Sequence, residues 1–415
     1  MILIFLLLLQ TAPGTGFDQL AQTALAQNKS LQAAREQLRQ AEARLTQAGL
    51  RPNPSLDVSQ STDAVFANEG ENGFAVTLSQ PFELGGKREK RIRVAQAEIE
   101  LAKAEIDDAE RQLLGQLRTA YLRAAEISAR MNLLQKTRGV NRQMVQVMTV
   151  RLGAGDASPL ESHLLQAEAN RIEAQRLQAE SELTQEVLEI RKLAGLGPDD
   201  AISVETLDLP ANPAALDTEA NLIEMALRNR PDVQAARLRE ALAGAGVTLA
   251  QAQAKPNVVG SVRYAREPNV SRFATPVLPR AFEIENVLDF GVSIPLPFFN
   301  REQGNIREAA SKMSQATAER QALENSIRAE VVTASRRYQA ALRSLELMRT
   351  GVVNETEQGF LITQLAYRLG DARLSDVLFQ QRSLIDAQVS ELTAQAEAAA
   401  ARAAVELAVG QRSSN

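Results

Sequence analysis

The sequence predicts a mainly α-helical α+β chain made of two structural repeats, each with a helix, two short β-strands and a long helical hairpin. Three observations carry that reading. Ala, Gln, Glu, Arg and Leu dominate the 415 residues, while aromatics reach only 4% and Trp and Cys are absent, which is a composition of long helices and not of compact cores. Landmarks recur in one order: Ala24 and Ala226, Pro52-Asn53 and Pro256-Asn257, Pro81-Phe82 and Pro297-Phe298, and the word Arg-Leu-Gly at 151 and 368, spaced by 202, 204, 216 and 217 residues. Drifting spacings with a fixed order indicate an internal duplication with insertions. Finally, in each half the apolar period changes from that of a strand to that of a helix at the Pro-Phe pair.

Taken in order, residues 1–16 open with eight apolar side chains at 2–9 followed by small and turn-forming ones, the length of a signal-peptide core and too short to span a bilayer. The first repeat is expected over 17–197, a linker over 198–217, the second repeat over 218–410 and a tail over 411–415. The stretches 87–150 and 302–366 contain no proline, so each is expected to run as one unbroken helix, close to 100 Å long at about 1.5 Å per residue. Ile92, Ala95, Ile99, Ala102 and Ile106 form an Ala-rich coiled-coil stripe that must be covered by neighbours.

Four segments have a different period. Leu56, Val58 and Gln60 alternate with Asp57 and Ser59, and Phe74, Val76 and Leu78 alternate with Ala75, Thr77 and Ser79. In the second half Val258, Val262 and Tyr264 alternate with Ser261 and Arg263, and Leu288, Phe290, Val292 and Ile294 with Asp289, Gly291 and Ser293. Such segments match strands that turn one face to lipid and the other to water. The expected lipid-facing set is Leu56, Val58, Val76, Leu78, Val262, Phe290 and Val292, with polar loops at 62–72 and 267–285; soluble hairpins on a helical stalk are the alternative on pattern alone. An open sheet edge strands unpaired backbone groups in hydrocarbon, and closed barrels need about eight strands, so copies of the chain must pool theirs. Pro81 and Pro297 then end the ladders, and Lys87, Arg88, Arg91 and Arg301 fall where the chain leaves the membrane.

These duplicated halves resemble the TolC family of outer-membrane efflux channels over essentially the whole chain after residue 17. The stretches QPFELGGKREKR and IPLPFFNREQGNI resemble its cobalt-zinc-cadmium resistance branch. The resemblance implies a homotrimer with a 12-stranded β-barrel in the outer membrane of a Gram-negative bacterium, continued by a helical tunnel through the periplasm. It implies as partners a periplasmic membrane-fusion adaptor, an inner-membrane RND pump and outer-membrane lipid. The cargo it implies is heavy-metal cations; drug efflux, type I secretion and a periplasmic coiled-coil scaffold remain alternatives.

The turns between paired helices repeat Arg151, Leu152, Gly153 as Arg368, Leu369, Gly370. Glycine there suits the left-handed conformation that ends a helix, and the resemblance adds docking of the adaptor. Capping alone is the plainer reading. For the gate, Asp376 matches one of the family's two constricting aspartates, Phe379 stands where the second would be, and Asp371 adds charge at the tip; a carboxylate at Asp376 would equally cap a helix.

No cofactor, metal site or enzyme chemistry is expected. Pro81 and Arg88 break any phosphate-loop reading of Gly86-Lys87. His163 is the sole histidine, and no cysteine is available as a ligand. With 46 basic and 51 acidic residues, the net charge of −5 offers no nucleic-acid footprint.

Overall fold

The computed structural model describes residues 16–62, 72–155, 158–202, 204, 216–270 and 282–411. Its elements are α1 (Phe17–Gln27), α2 (Lys29–Ala48), β1 (Ser55–Thr62), β2 (Asn72–Phe82), α3 (Lys87–Gly153) and α4 (Pro159–Ala194). The same order follows in α5 (Glu219–Asn229), α6 (Pro231–Gln253), β3 (Val258–Val270), β4 (Phe282–Ser293), α7 (Gln303–Glu346), α8 (Asn354–Leu369) and α9 (Leu374–Ala408). The signal peptide expected at 1–16 and most of the linker and tail lie outside the described residues.

Four expectations need correction. The Pro-Phe pairs do not end the ladders: Pro81 and Phe82 still pair with Val259 and Val258, and β4 stops at Ser293, four residues before Pro297. Each repeat begins with two helices and not one. Asn28 breaks the first pair: its backbone is extended, its Oδ1 accepts the N–H of Leu31 at 3.0 Å and its Nδ2 donates to the carbonyl of Leu193 at 2.9 Å. Arg230, extended and followed by Pro231, breaks the second pair. The long helix of the second repeat is also interrupted by a π-helical segment, Leu347–Val353, so the absence of proline did not guarantee continuity there. Lastly, the expected loops are shorter, because Thr62 pairs with Asn72 and Val270 with Phe282; residues 63–71 and 271–281 lie outside the described set.

The chain divides into two compact units, and helices α2, α3, α6 and α7 contribute residues to both. One unit (Met1–Arg35, Ala104–Gln234, Ala322–Asn415) has helices joined by turns and no strand among its described residues. It has one core of Leu20, Leu31, Leu117, Tyr121 and Ile190, and another of Leu222, Val233, Ile327, Val331, Tyr338 and Val405. Arg230 is buried beside Asp232, Glu330 and the carbonyl of Ala408, where it closes the end of α9. Burial works against the charge of Asp232, but the hydrogen bond and charge of Arg230, with Arg111 behind, outweigh it and hold its pKa below the ordinary value.

The second unit (Glu36–Lys103, Ala235–Gln321) holds a four-stranded antiparallel sheet in the order β1-β2-β3-β4, with β1 and β4 at the edges. Among the described residues no helix is long and apolar enough to cross a membrane.

Candidate functional site

The sheet register sorts side chains into rows. Leu56, Leu78, Val262 and Phe290 stand opposite one another in succession, as do Val58, Val76, Tyr264 and Leu288. Because side chains alternate along a strand, these rows share one face. Leu56, Val58, Leu78, Val262, Phe290 and Val292 are exposed, Phe290 by 78%, and Val76 is half-buried. The opposite face carries the row Asp57, Thr77, Arg263 and Asp289 and the small residues Ala75, Ala265 and Gly291. Arg263 donates to Asp289 at 3.1 Å and to Glu267 at 2.7 Å. The sheet thus has an uncovered face that is apolar over most of its length, with the polar residues Gln60, Arg266 and Asn286 in the row of Phe74 at its loop end, and a charged, small-residue face.

Where β2 gives way to α3, the basic residues bind inside the unit. Lys87 is buried and donates to Asn257 at 2.6 Å; Arg88 donates to the carbonyl of Gly49 at 2.6 Å. Arg91 donates to the carbonyl of Leu50 at 3.2 Å and forks onto Glu83. Two carbonyls just past the end of α2 are thereby satisfied by cations, whose charge the nearby helix C-terminus also favours. The hydrogen bond from Arg91 holds the Glu83 carboxyl below its ordinary range. Gly85 and Gly86 take φ of 78° and 67°, and a Cβ on Gly85 would fall 2.6 Å from Lys255.

At the helix turns, Leu152 is half-buried, while Arg151, Arg368 and Leu369 are exposed. Gly370 adopts φ 87° as expected, but Gly153 is the last residue of α3 and the left-handed position is Gly155, φ 79°. The helix runs further into the turn than the repeated word suggested. Asp376 accepts the backbone N–H of Arg373 at 3.0 Å and the Ser375 hydroxyl at 3.3 Å, so it does cap α9. Asp371 and Phe379 are exposed, one in the turn and one in the first turns of α9.

Sequence reasoning missed the polar layer behind these turns. Glu168 is 0% exposed yet receives Arg171 and Arg382, each at 2.6 Å. Buried Gln381 donates to buried Asn141 at 2.9 Å. Glu168 and Arg171, three apart, read as an ordinary surface pair, and nothing local marks Arg382 as the second partner. His163 is exposed, and the described residues contain no group of three or more potential metal ligands.

Residues 20–196 and 222–411 match the outer membrane efflux protein family. The cobalt-zinc-cadmium resistance protein CzcC of Cupriavidus metallidurans is 27% identical over 380 residues, covering 89% of this chain and 84% of the relative. The pyoverdine export outer membrane protein OpmQ of Pseudomonas putida is 25% identical over 423 residues, covering 95% and 85%. Among solved structures, the outer membrane protein VceC of Vibrio cholerae superposes with a TM-score of 0.73 at 21% identity, over 95% of this chain and 96% of that one. The helix, strand and hairpin order, the uncovered apolar sheet face and these matches agree: the chain belongs to the outer membrane efflux protein family and has the TolC-like channel fold.

Proposed function

We propose that the chain is the outer-membrane exit channel of a tripartite RND-type efflux system and that its cargo is heavy-metal cations. The observation that carries this reading is the ladder register, which leaves one face exposed and apolar in the rows from Leu56 and Val58 across to Phe290 and Leu288, and the other polar. Three copies pool their sheets, β4 of one pairing with β1 of the next, because those strands hold the unpaired edges. The apolar rows meet lipid and the odd-numbered residues line the passage.

That lining supports cations. Asp57, Glu267, Glu283, Glu285 and Asp289 stand on it with Arg263. Glu267 lies directly opposite Glu285, an arrangement that costs a sheet stability but suits a cation passage. The name of the relative CzcC supports the same cargo. The likeness to OpmQ supports a second reading, an organic cargo.

In this scheme the periplasmic adaptor docks at Arg151, Leu152, Gly153 and Arg368, Leu369, Gly370. Asp376 forms an acidic ring at the constriction, with Asp371 near it and Phe379 supplying an apolar ring. Changing Leu152 and Leu369 to Asp should abolish export while the trimer still assembles. The cargo is tested by deleting the gene: tolerance to zinc, cobalt and cadmium should fall and return with the gene. Loss of tolerance to organic compounds alone would favour the second reading.

A further inference from the structure

We infer that Glu126, Arg130, Glu182 and Asp386 form a proton-sensitive clamp between the two repeats, so that acid tightens the seam where α3 and α4 meet α9. The inference goes beyond the channel reading and needs only the helical unit. Three carboxylates on three helices share one guanidinium there. Arg130 of α3 is paired with Glu182 of α4 and lies 3.9 Å from Glu126, one turn earlier on α3. Asp386 of α9 lines a cavity of about 160 Å³ together with Arg130, Glu182, Gln175, Leu134 and Ile385.

The site is short of positive charge. Glu182 already takes Arg130 and the Gln178 amide, the latter at 3.0 Å. Arg130 Nε, the atom nearest Glu126, is buried and makes no hydrogen bond among the described residues. Glu126 is therefore left with a contact too long for a hydrogen bond, although only 15% of its side chain is exposed. Burial pushes its carboxyl above the ordinary value of 4.5; Arg130 draws it back, Glu182 adds to the rise, and the Thr393 hydroxyl of α9 opposes it. The charged groups around Glu126 are thus Arg130 on its own helix, Glu182 on α4 and, across the cavity, Asp386 on α9. Below 4.5 its contribution to the closed seam is complete. As pH rises through the higher, folded value, negative charge builds beside Glu182 and Asp386 and that contribution is lost. Nearer the turns the balance is reversed, since Glu168 sits alone between Arg171 and Arg382.

The chain has no cysteine, so nitroxides can be attached at Thr184→Cys on α4 and Ser390→Cys on α9, both exposed positions. Labelled full-length chains are diluted with unlabelled ones, and label separations are read by pulsed electron paramagnetic resonance at a series of pH values from 4.5 to neutral. One narrow distribution should appear at the acid end and broaden as pH rises. Glu126→Gln should keep it narrow throughout. Glu182→Gln, which removes a like charge and releases Arg130, should move the broadening to lower pH. A distribution that ignores pH, or a response that survives in Glu126→Gln, overturns the clamp. Should Glu126→Gln fail to assemble, Thr393→Val decides: broadening moved to higher pH supports the clamp, and no shift or the opposite one overturns it.

Discussion

The two strand-to-helix joints begin with the same Pro-Phe word and end as different structures. In the first, Lys87, Arg88 and Arg91 reach Asn257, Gly49 and Leu50, and two left-handed glycines let the backbone pack against Lys255. In the second, Phe298 N–H donates to the carbonyl of Leu296, Arg301 N–H to Gln303, Glu302 N–H to Asn300 and Gln303 Nε2 to the carbonyl of Phe299, all between Leu296 and Gln303, and Phe298 and Phe299 are left in the open. The duplicated word does not set where a ladder stops, since Pro81 and Phe82 still pair with Val259 and Val258 whereas β4 ends at Ser293, four residues before Pro297. What lies beyond the word depends on which distant groups are within reach, so one joint became a structural seam and the other a surface.

The largest effects test the sheet that both joints terminate. Arg at Val76 or Val292 should cost about 2–4 kcal/mol if the site lies at mid-bilayer, while Arg at Thr77 or Ser293 should be tolerated, as read by the heat stability of the assembled trimer. Next comes the contrast between joints. Arg91→Ala should cost about 1–2 kcal/mol, since the pair with Glu83 is charge-assisted but partly solvated, whereas Arg301→Ala should stay within about 0.5 kcal/mol. Amide exchange over 84–90 and 299–305 would show it.

The first joint should also be acid-sensitive. Glu83 has a folded pKa below its ordinary value of 4.5, so its contribution is complete above that value and is lost as pH falls through the lower, folded one. The second joint has no such arginine–carboxylate fork: the Arg301 guanidinium donates to the carbonyl of Pro297, and the Glu302 carboxylate accepts from the Asn305 amide. A smaller effect is expected at the turn: Asp376→Asn should cost about 0.5–2 kcal/mol as a cap and, if the ring exists, lower cation selectivity in single-channel recordings. Smallest of all, Glu302→Gly should change stability by no more than about 1 kcal/mol, because relief of the left-handed strain at φ 58° is offset by the greater freedom of glycine when unfolded.

Much of the fold was legible because periodicity is local. Leu56 to Ser59 and Leu288 to Ile294 alternate plainly, and the repeated landmarks ordered the elements. At the helix break, the cap of Asn28 on Leu31 is local and was missed, whereas its second anchor, the carbonyl of Leu193 at the end of α4, was not legible. The π segment at Leu347–Val353 has no proline to announce it. For the candidate site, the rows of the sheet followed from parity, but the buried Glu168 with Arg171 and Arg382 required knowing which helices meet. The difference between the joints was equally hidden, because Lys87 and Asn257 are 170 residues apart.

The absence of cysteine allows the central claim, a sheet with lipid on one face and a water-filled passage on the other, to be tested at two adjacent residues. Val76→Cys and Thr77→Cys channels would be recorded singly in a planar bilayer while a bulky, charged, membrane-impermeant thiol reagent is added. The account predicts that Thr77→Cys loses conductance in discrete steps, one for each copy of the trimer, and that Val76→Cys is unaffected. Equal modification of both, or block only at Val76→Cys, would contradict it.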